Sequence, residues 1–389
     1  MDIWLLSLVL VALLIGWIIG RWKPSIKKLS SYRSGNYSES YIKGLNYLLS
    51  DNSQKAVEIF SELIQVNTET IEIHIALGNL YRSKGEVDRA IKVHQNLLAR
   101  PNLSRSQRNM AIAELANDYL KSGLLDRAEK LFKELTQLEP KDPAAYGKLL
   151  DLYITEKSWD QAAEYAKILS DRGDKDAAII LSQCYCEIAE EALAGGNTKL
   201  VRESLDKALD ADQACVRAGL LLIKHHMGSN QTDAAKKVFH RLISNNPEYM
   251  DLYIAPAREI YLLANESKEY QKFLENQYQY KPSNRLAIAL IEHYSSVNQI
   301  DKARQFLSEV LEELPSFEAY EFALRFQKSD PGHINDTWNG LSAFLKSMKD
   351  KKIEFVCSQC GYESHAIQWN CPSCRHWSSM KPVQFHCIA

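Results

Sequence analysis

Apolar positions run through this chain of 389 residues in three rhythms. The first is unbroken: IWLLSLVLVALLIGWII, Ile3 to Ile19, carries no charge across 17 residues. As a helix rising about 1.5 Å per residue it measures roughly 25 Å, against a hydrocarbon core of about 30 Å. The second rhythm is helical, with apolar faces separated by polar turns over residues 37–350. The third begins near Ile353, where the charged stretch KDKK gives way to alternating residues and tight turns. The pattern predicts an all-α protein: a transmembrane anchor at 1–20, a basic linker at 21–36, a helical array at 37–350 and a small domain at 351–389.

A cleaved signal peptide would need basic residues before the apolar run and a small-residue cleavage site after it. Here MD precedes the run and RWKP follows it. Arg21, Lys23, Lys27, Lys28 and Arg33 all lie just beyond the segment, so the positive-inside rule puts the bulk of the chain in the cytoplasm and the N-terminus across the membrane, in a single pass. Trp4, Trp17 and Trp22 suit the two interfaces.

Within the helical rhythm, KGLNYLLSDNSQKAVEIFSEL at 43–63 returns as LGNLYRSKGEVDRAIKVHQNL at 77–97, offset by 34 residues. Gly44 with Tyr47, and Gly78 with Tyr81, mark the first helix of each unit, while Ala56 and Ala90 mark the second. Small residues at those places let two helices pack closely. Ala116, Tyr119, Ala128 and Phe132 repeat the scheme, then Tyr153, Ala162 and Ala166, and later Ala235 with Phe239 and Tyr294 with Ala303. The pattern loosens around Gly195 and Gly196 and is degenerate over residues 249–281. A period of 34 with these residues is that of the tetratricopeptide repeat, and the array resembles that family over roughly residues 37–320. Such a solenoid buries its core between neighbours and leaves a long concave face suited to binding polypeptides.

Charge changes this picture only by exclusion. A formal net charge of -2 supplies no basic field for nucleic acid. The chain contains no Walker loop, G-x-S-x-G, H-E-x-x-H or G-x-G-x-x-G, and no enzymatic role is expected. Of eight cysteines, Cys184, Cys186, Cys215 and Cys387 follow no disulfide-like spacing, and Cys184 and Cys186 read as small buried hydrophobes. The other four form two C-x-x-C pairs, Cys357 with Cys360 and Cys371 with Cys374, with ten residues between the pairs. Four thiolates converging on one ion give a closed tetrahedral site, with zinc favoured over iron in the same geometry. Gly361 permits the positive φ that turns backbone amides toward sulfur, and Pro372 stiffens the second turn. Lys351, Lys352, Arg375 and Lys381 are placed to offset the excess negative charge.

The order of anchor, RWKP, repeats and the tail CSQCGYESHAIQWNCPSCRHWSSMKP resembles the lipopolysaccharide assembly protein B family of Gram-negative bacteria over the whole chain. The tail is similar to that family's rubredoxin-type domain, which implies metal ligation by Cys357, Cys360, Cys371 and Cys374. It departs from rubredoxin itself in the short separation of the pairs and in Arg375, where a second glycine is expected. The resemblance implies a non-enzymatic inner-membrane adaptor that restrains lipopolysaccharide synthesis. Family members present the committed-step lipid A deacetylase to a membrane-bound ATP-dependent metalloprotease and link synthesis to transport, with lipopolysaccharide or its transport proteins as further partners. Two other readings stand beside it: an iron electron carrier on a repeat scaffold, and a general membrane-tethered docking scaffold.

Overall fold

The computed structural model describes residues 42–44, 46–47, 53–66, 71–313, 316–328 and 353–383. The expected anchor and linker, the KDKK stretch, Lys351, Lys352 and Cys387 lie outside these residues. Among the described residues no helix is long and apolar enough to cross a membrane.

The described chain is helical up to Lys328 and falls into two compact units, one ending at Pro140 and the other beginning at Lys141. In the first unit, α1 (Ser53–Val66) precedes the pairs α2 (Ile71–Ser83) with α3 (Val87–Leu98), and α4 (Arg105–Lys121) with α5 (Leu125–Leu138). Ser104 opens α4 with a reciprocal capping box to Gln107, which satisfies two otherwise orphaned backbone groups. Gly85 and Gly123 take positive φ in the turns between paired helices.

The second unit continues with α6 (Pro143–Glu156) and α7 (Trp159–Asp171), α8 (Lys175–Ala194) and α9 (Thr198–Ala211), and α10 (Val216–Gly228) and α11 (Thr232–Asn245). After a 3-10 turn at Pro247–Tyr249 come α12 (Met250–Leu263) and α13 (Ser267–Tyr280), α14 (Asn284–Ser296) and α15 (Ile300–Glu313), and α16 (Phe317–Lys328). Within each pair the two helices pack on one another, and the first helices of successive units touch from α8 through α16. The residues that announced the repeat are the core: Ala56, Ala90, Ala128, Ala162, Ala235 and Ala303 have no exposed surface.

Two departures from the period have structural causes. The extra residues before Gly195 lengthen α8 to 20 residues, and Gly196 turns the chain with φ of 71°. The degenerate stretch at 249–281 is a regular helical pair in which Pro256 lies inside α12, so the carbonyl of Leu252 loses its usual partner. Tyr253, Ala257 and Ile260 nevertheless fill the core there.

The non-helical tail is a three-stranded antiparallel sheet in the order β2-β1-β3, with β1 at Phe355–Cys357, β2 at Glu363–Ser364 and β3 at Met380–Pro382. Strands this short cannot hold a sheet by themselves.

Candidate metal centre

The two cysteine pairs fold into matching turns fourteen residues apart in sequence. In the first, Gly361 N–H donates to Cys357 carbonyl at 2.9 Å and Cys357 N–H to Tyr362 carbonyl at 2.8 Å. In the second, Arg375 N–H donates to Cys371 carbonyl at 2.8 Å and Cys371 N–H to His376 carbonyl at 3.0 Å. Gly361 has φ of 75° and Arg375 φ of 60°. The second turn therefore keeps the left-handed conformation without glycine, at a cost of about 1–2 kcal/mol. Asn370 Nδ2 steadies it by donating to Arg375 carbonyl at 3.1 Å.

These turns bring four sulfurs within 4.8 Å of one another. Cys357 and Cys374 Sγ are 3.6 Å apart, and Cys360 and Cys371 Sγ are 3.7 Å apart. A tetrahedron with metal–sulfur bonds of about 2.3 Å has edges of roughly 3.8 Å, so the donor set has the size that zinc or iron requires. Its electrostatics fit a cation as well. Burial raises the Cys357 thiol, but Ser379 and the backbone amides of Cys360 and Gln359 bring it down to about 6. At Cys374 the amide of His376 lowers the thiol, yet burial and the three neighbouring sulfurs push it up to about 12. Four sulfurs this close cannot all shed protons without a positive ion among them.

The tail does not stand apart from the helices of its unit. Trp377 meets Trp159, at the start of α7, edge to face with centroids 6.5 Å apart. Gln183 Nε2 on α8 donates to Ser378 Oγ at 3.0 Å, and Tyr249 hydroxyl donates to Met380 carbonyl at 3.0 Å. Lys381 reaches Glu248 at 3.3 Å, and Arg285 on α14 reaches Glu354 at 2.6 Å. Ile367 packs against both the helical core and the core of the tail. The tail thus lies mainly along the first helices, from α8 to α14.

Comparison with known proteins supports both parts. A family model described as rubredoxin metal binding domain matches residues 355–382. Tetratricopeptide repeat models match residues 73–106 and 119–184. Lipopolysaccharide assembly protein B of Escherichia coli strain K12 is 28% identical over 382 residues, covering 96% of each chain. Its counterpart from Haemophilus influenzae is 33% identical over 389 residues, again covering 96% of each chain. The chain belongs to the lipopolysaccharide assembly protein B family. A crystal structure of the C-terminal part of a TPR repeat-containing protein from Cytophaga hutchinsonii is similar over 68% of this chain and 98% of that one. Its identity is 14% and its TM-score 0.39, too loose a match to bear on function.

In this member of the lipopolysaccharide assembly protein B family, Cys357, Cys360, Cys371 and Cys374 form a metal-binding site in a zinc-ribbon module. Lys381, expected to balance the charge of the cluster, instead pairs with Glu248 and lies over the ring of Tyr249 at 5.0 Å. The carboxyl of Asp151 on α6 is raised by burial and partly lowered by the charges of Lys148 and Arg375. Sequence reasoning did not single out Trp159, Gln183, Tyr249 or Arg285, because none belongs to the repeat signature.

Proposed function

We propose that this protein is a non-enzymatic, membrane-tethered adaptor in lipopolysaccharide assembly. In this reading residues 1–20 anchor it in the bacterial inner membrane with the N-terminus in the periplasm, residues 21–36 form the linker, and the repeats and ribbon lie in the cytoplasm. The adaptor promotes proteolysis of the committed-step lipid A deacetylase by a membrane ATP-dependent metalloprotease and links synthesis to transport. Cys357, Cys360, Cys371 and Cys374 hold one structural ion, zinc in preference to iron, since four thiolates leave no open position for chemistry. The supporting observation is the seating of the ribbon: Tyr249 and Gln183 tie it to the first helices, so the ion stabilises a surface to which helices and ribbon both contribute. Relatives named for lipopolysaccharide assembly over nearly the full length favour this use of the scaffold.

A tether and a docking surface act together by raising effective concentration. The test is the in-cell half-life of the lipid A deacetylase with wild-type protein, protein lacking residues 1–20, Cys371→Ser protein, or none. Stabilisation of the deacetylase in the last three supports the proposal, with Cys371→Ser more severe than loss of the anchor. An equal half-life in all four cells would remove the regulatory role. Metal analysis of the purified chain decides between zinc and iron.

A further inference from the structure

Gln183 on α8 is fully buried and joins three parts of the second unit. Its Oε1 accepts from Arg217 Nη1 on α10 at 3.3 Å. Its Nε2 donates to Ser378 Oγ of the ribbon at 3.0 Å and lies 3.3 Å from Cys215 Sγ. Cys215 is the N-cap of α10, and its sulfur also accepts from Ala218 N–H at 3.4 Å. Cys186 Sγ on α8 is 4.0 Å from Cys215 Sγ, and both residues are buried.

The two thiols are not equivalent. With two N–H donors already directed at it, Cys215 sulfur is the acceptor of the pair, and the S–H between the sulfurs belongs to Cys186. A helix N-terminus further favours a thiolate at Cys215. The hydrogen bond from Cys186 brings Cys215 down to about 7 in spite of its burial, whereas the same bond and burial hold Cys186 well above the ordinary thiol range. Cys184 is different: burial pushes its thiol up to about 12, as expected of an inert buried side chain.

We propose that Cys186 and Cys215 are a redox-modification site, closed to a disulfide by a peroxide, and that Gln183 passes the closure to the ribbon. The Cys215 thiolate attacks one peroxide oxygen, and the O–O bond breaks to give a sulfenic acid at Cys215 and hydroxide. That hydroxide takes up the proton Cys215 had released and leaves as water. Cys186 sulfur then attacks Cys215 sulfur, the S–O bond breaks, and the Cys186 proton leaves with the oxygen as a second water. Two thiols lose two electrons and one peroxide becomes two waters. Access to the buried pair comes from local opening, which suits a small oxidant.

Closure must shorten the 4.0 Å separation to a bond of about 2.0 Å. Cys215 sulfur then withdraws from Gln183 and from the amide it caps, and Gln183 loses one of the contacts that fix its grip on Ser378.

The full-length, metal-loaded chain in detergent is treated with hydrogen peroxide, blocked with N-ethylmaleimide and digested for mass spectrometry. The expected product is a reducible cross-link between the peptides carrying Cys186 and Cys215. A Cys186→Ser chain should stop at a Cys215 sulfenic acid that dimedone traps. Both thiols remaining free in the wild-type chain, or Cys215 linking to a different cysteine, overturns the site even if the variant fails to fold. Amide exchange at residues 377–380 should quicken about fivefold on oxidation, as loss of one hydrogen bond implies. Unchanged exchange in the cross-linked protein overturns the relay.

Discussion

The hydroxyl of Tyr249 donates to the backbone carbonyl of Met380 across 131 residues of sequence, at 3.0 Å and in a buried setting. Tyr249 is 4% exposed and Met380 1% exposed, so water cannot replace the bond if it is lost. Met380 pairs with the ligand Cys357 across β1 and β3. One hydrogen bond thus links the seat of the ribbon to β3, the strand paired with the one that carries a ligand.

Tyr249→Phe should weaken docking by about 1–3 kcal/mol, the cost of leaving a buried acceptor unpaired. The metal should stay bound, because the four sulfurs are untouched. Limited proteolysis and amide exchange of residues 353–383 measure docking, and metal content is read on the same sample. Unchanged protection would show that the bond does not hold the seat.

Removing the ion with a strong chelator should unfold the ribbon and leave the helices intact. Two of the four residues in its small buried core, Cys357 and Cys371, are themselves ligands. With strands this short, binding energy is folding energy. The expected signature is unchanged helical circular dichroism with a red-shifted tryptophan emission as Trp369 and Trp377 become exposed. Retained protection across the ribbon in verified metal-free protein would refute it.

Gly78→Ala should destabilise the first unit by about 1–3 kcal/mol through overpacking. A β-carbon at Gly78 would collide with the imidazole of His94, which is fully buried and anchored to Asp118 at 2.5 Å. Helix propensity alone predicts the opposite sign, a gain of about 1 kcal/mol. Denaturant melts of the single variant and of Gly78→Ala in a His94→Ala background separate the two, because the collision disappears in the second.

Acid should destabilise the second unit. Burial lowers the pKa of His293, Glu275 opposes it and Arg258 lowers it further, while Nε2 has no hydrogen-bond partner among the described residues. The native state therefore binds the proton less readily than the unfolded chain, whose histidine titrates near about 6.5. The contribution of His293 is present above that value and is lost as pH falls through it toward the lower native pKa. Urea midpoints between about pH 7 and pH 5 should fall less steeply for His293→Gln than for wild type. Parallel slopes would assign the acid sensitivity to other groups, His225 among them, whose pKa is also lowered by burial and by its neighbours His226 and Arg202.

The sequence by itself determined the repeat, the helical pairs and the ligand set, because each rests on short-range spacing. A 34-residue offset carries Phe60 to His94 and Gly44 to Gly78, and a C-x-x-C turn brings two sulfurs together within four residues. Even Arg375 in place of glycine left the turn geometry unchanged. Only the tertiary structure decided where the ribbon sits, that the array falls into two compact units, and that Cys186 meets Cys215. Those features depend on single contacts between distant residues. Tyr249 binds a backbone carbonyl, which any residue at 380 would offer, and Gln183 meets Ser378 across 195 positions. Such contacts have no period and no spacing, so nothing in the order of residues marks them until the helices have stacked.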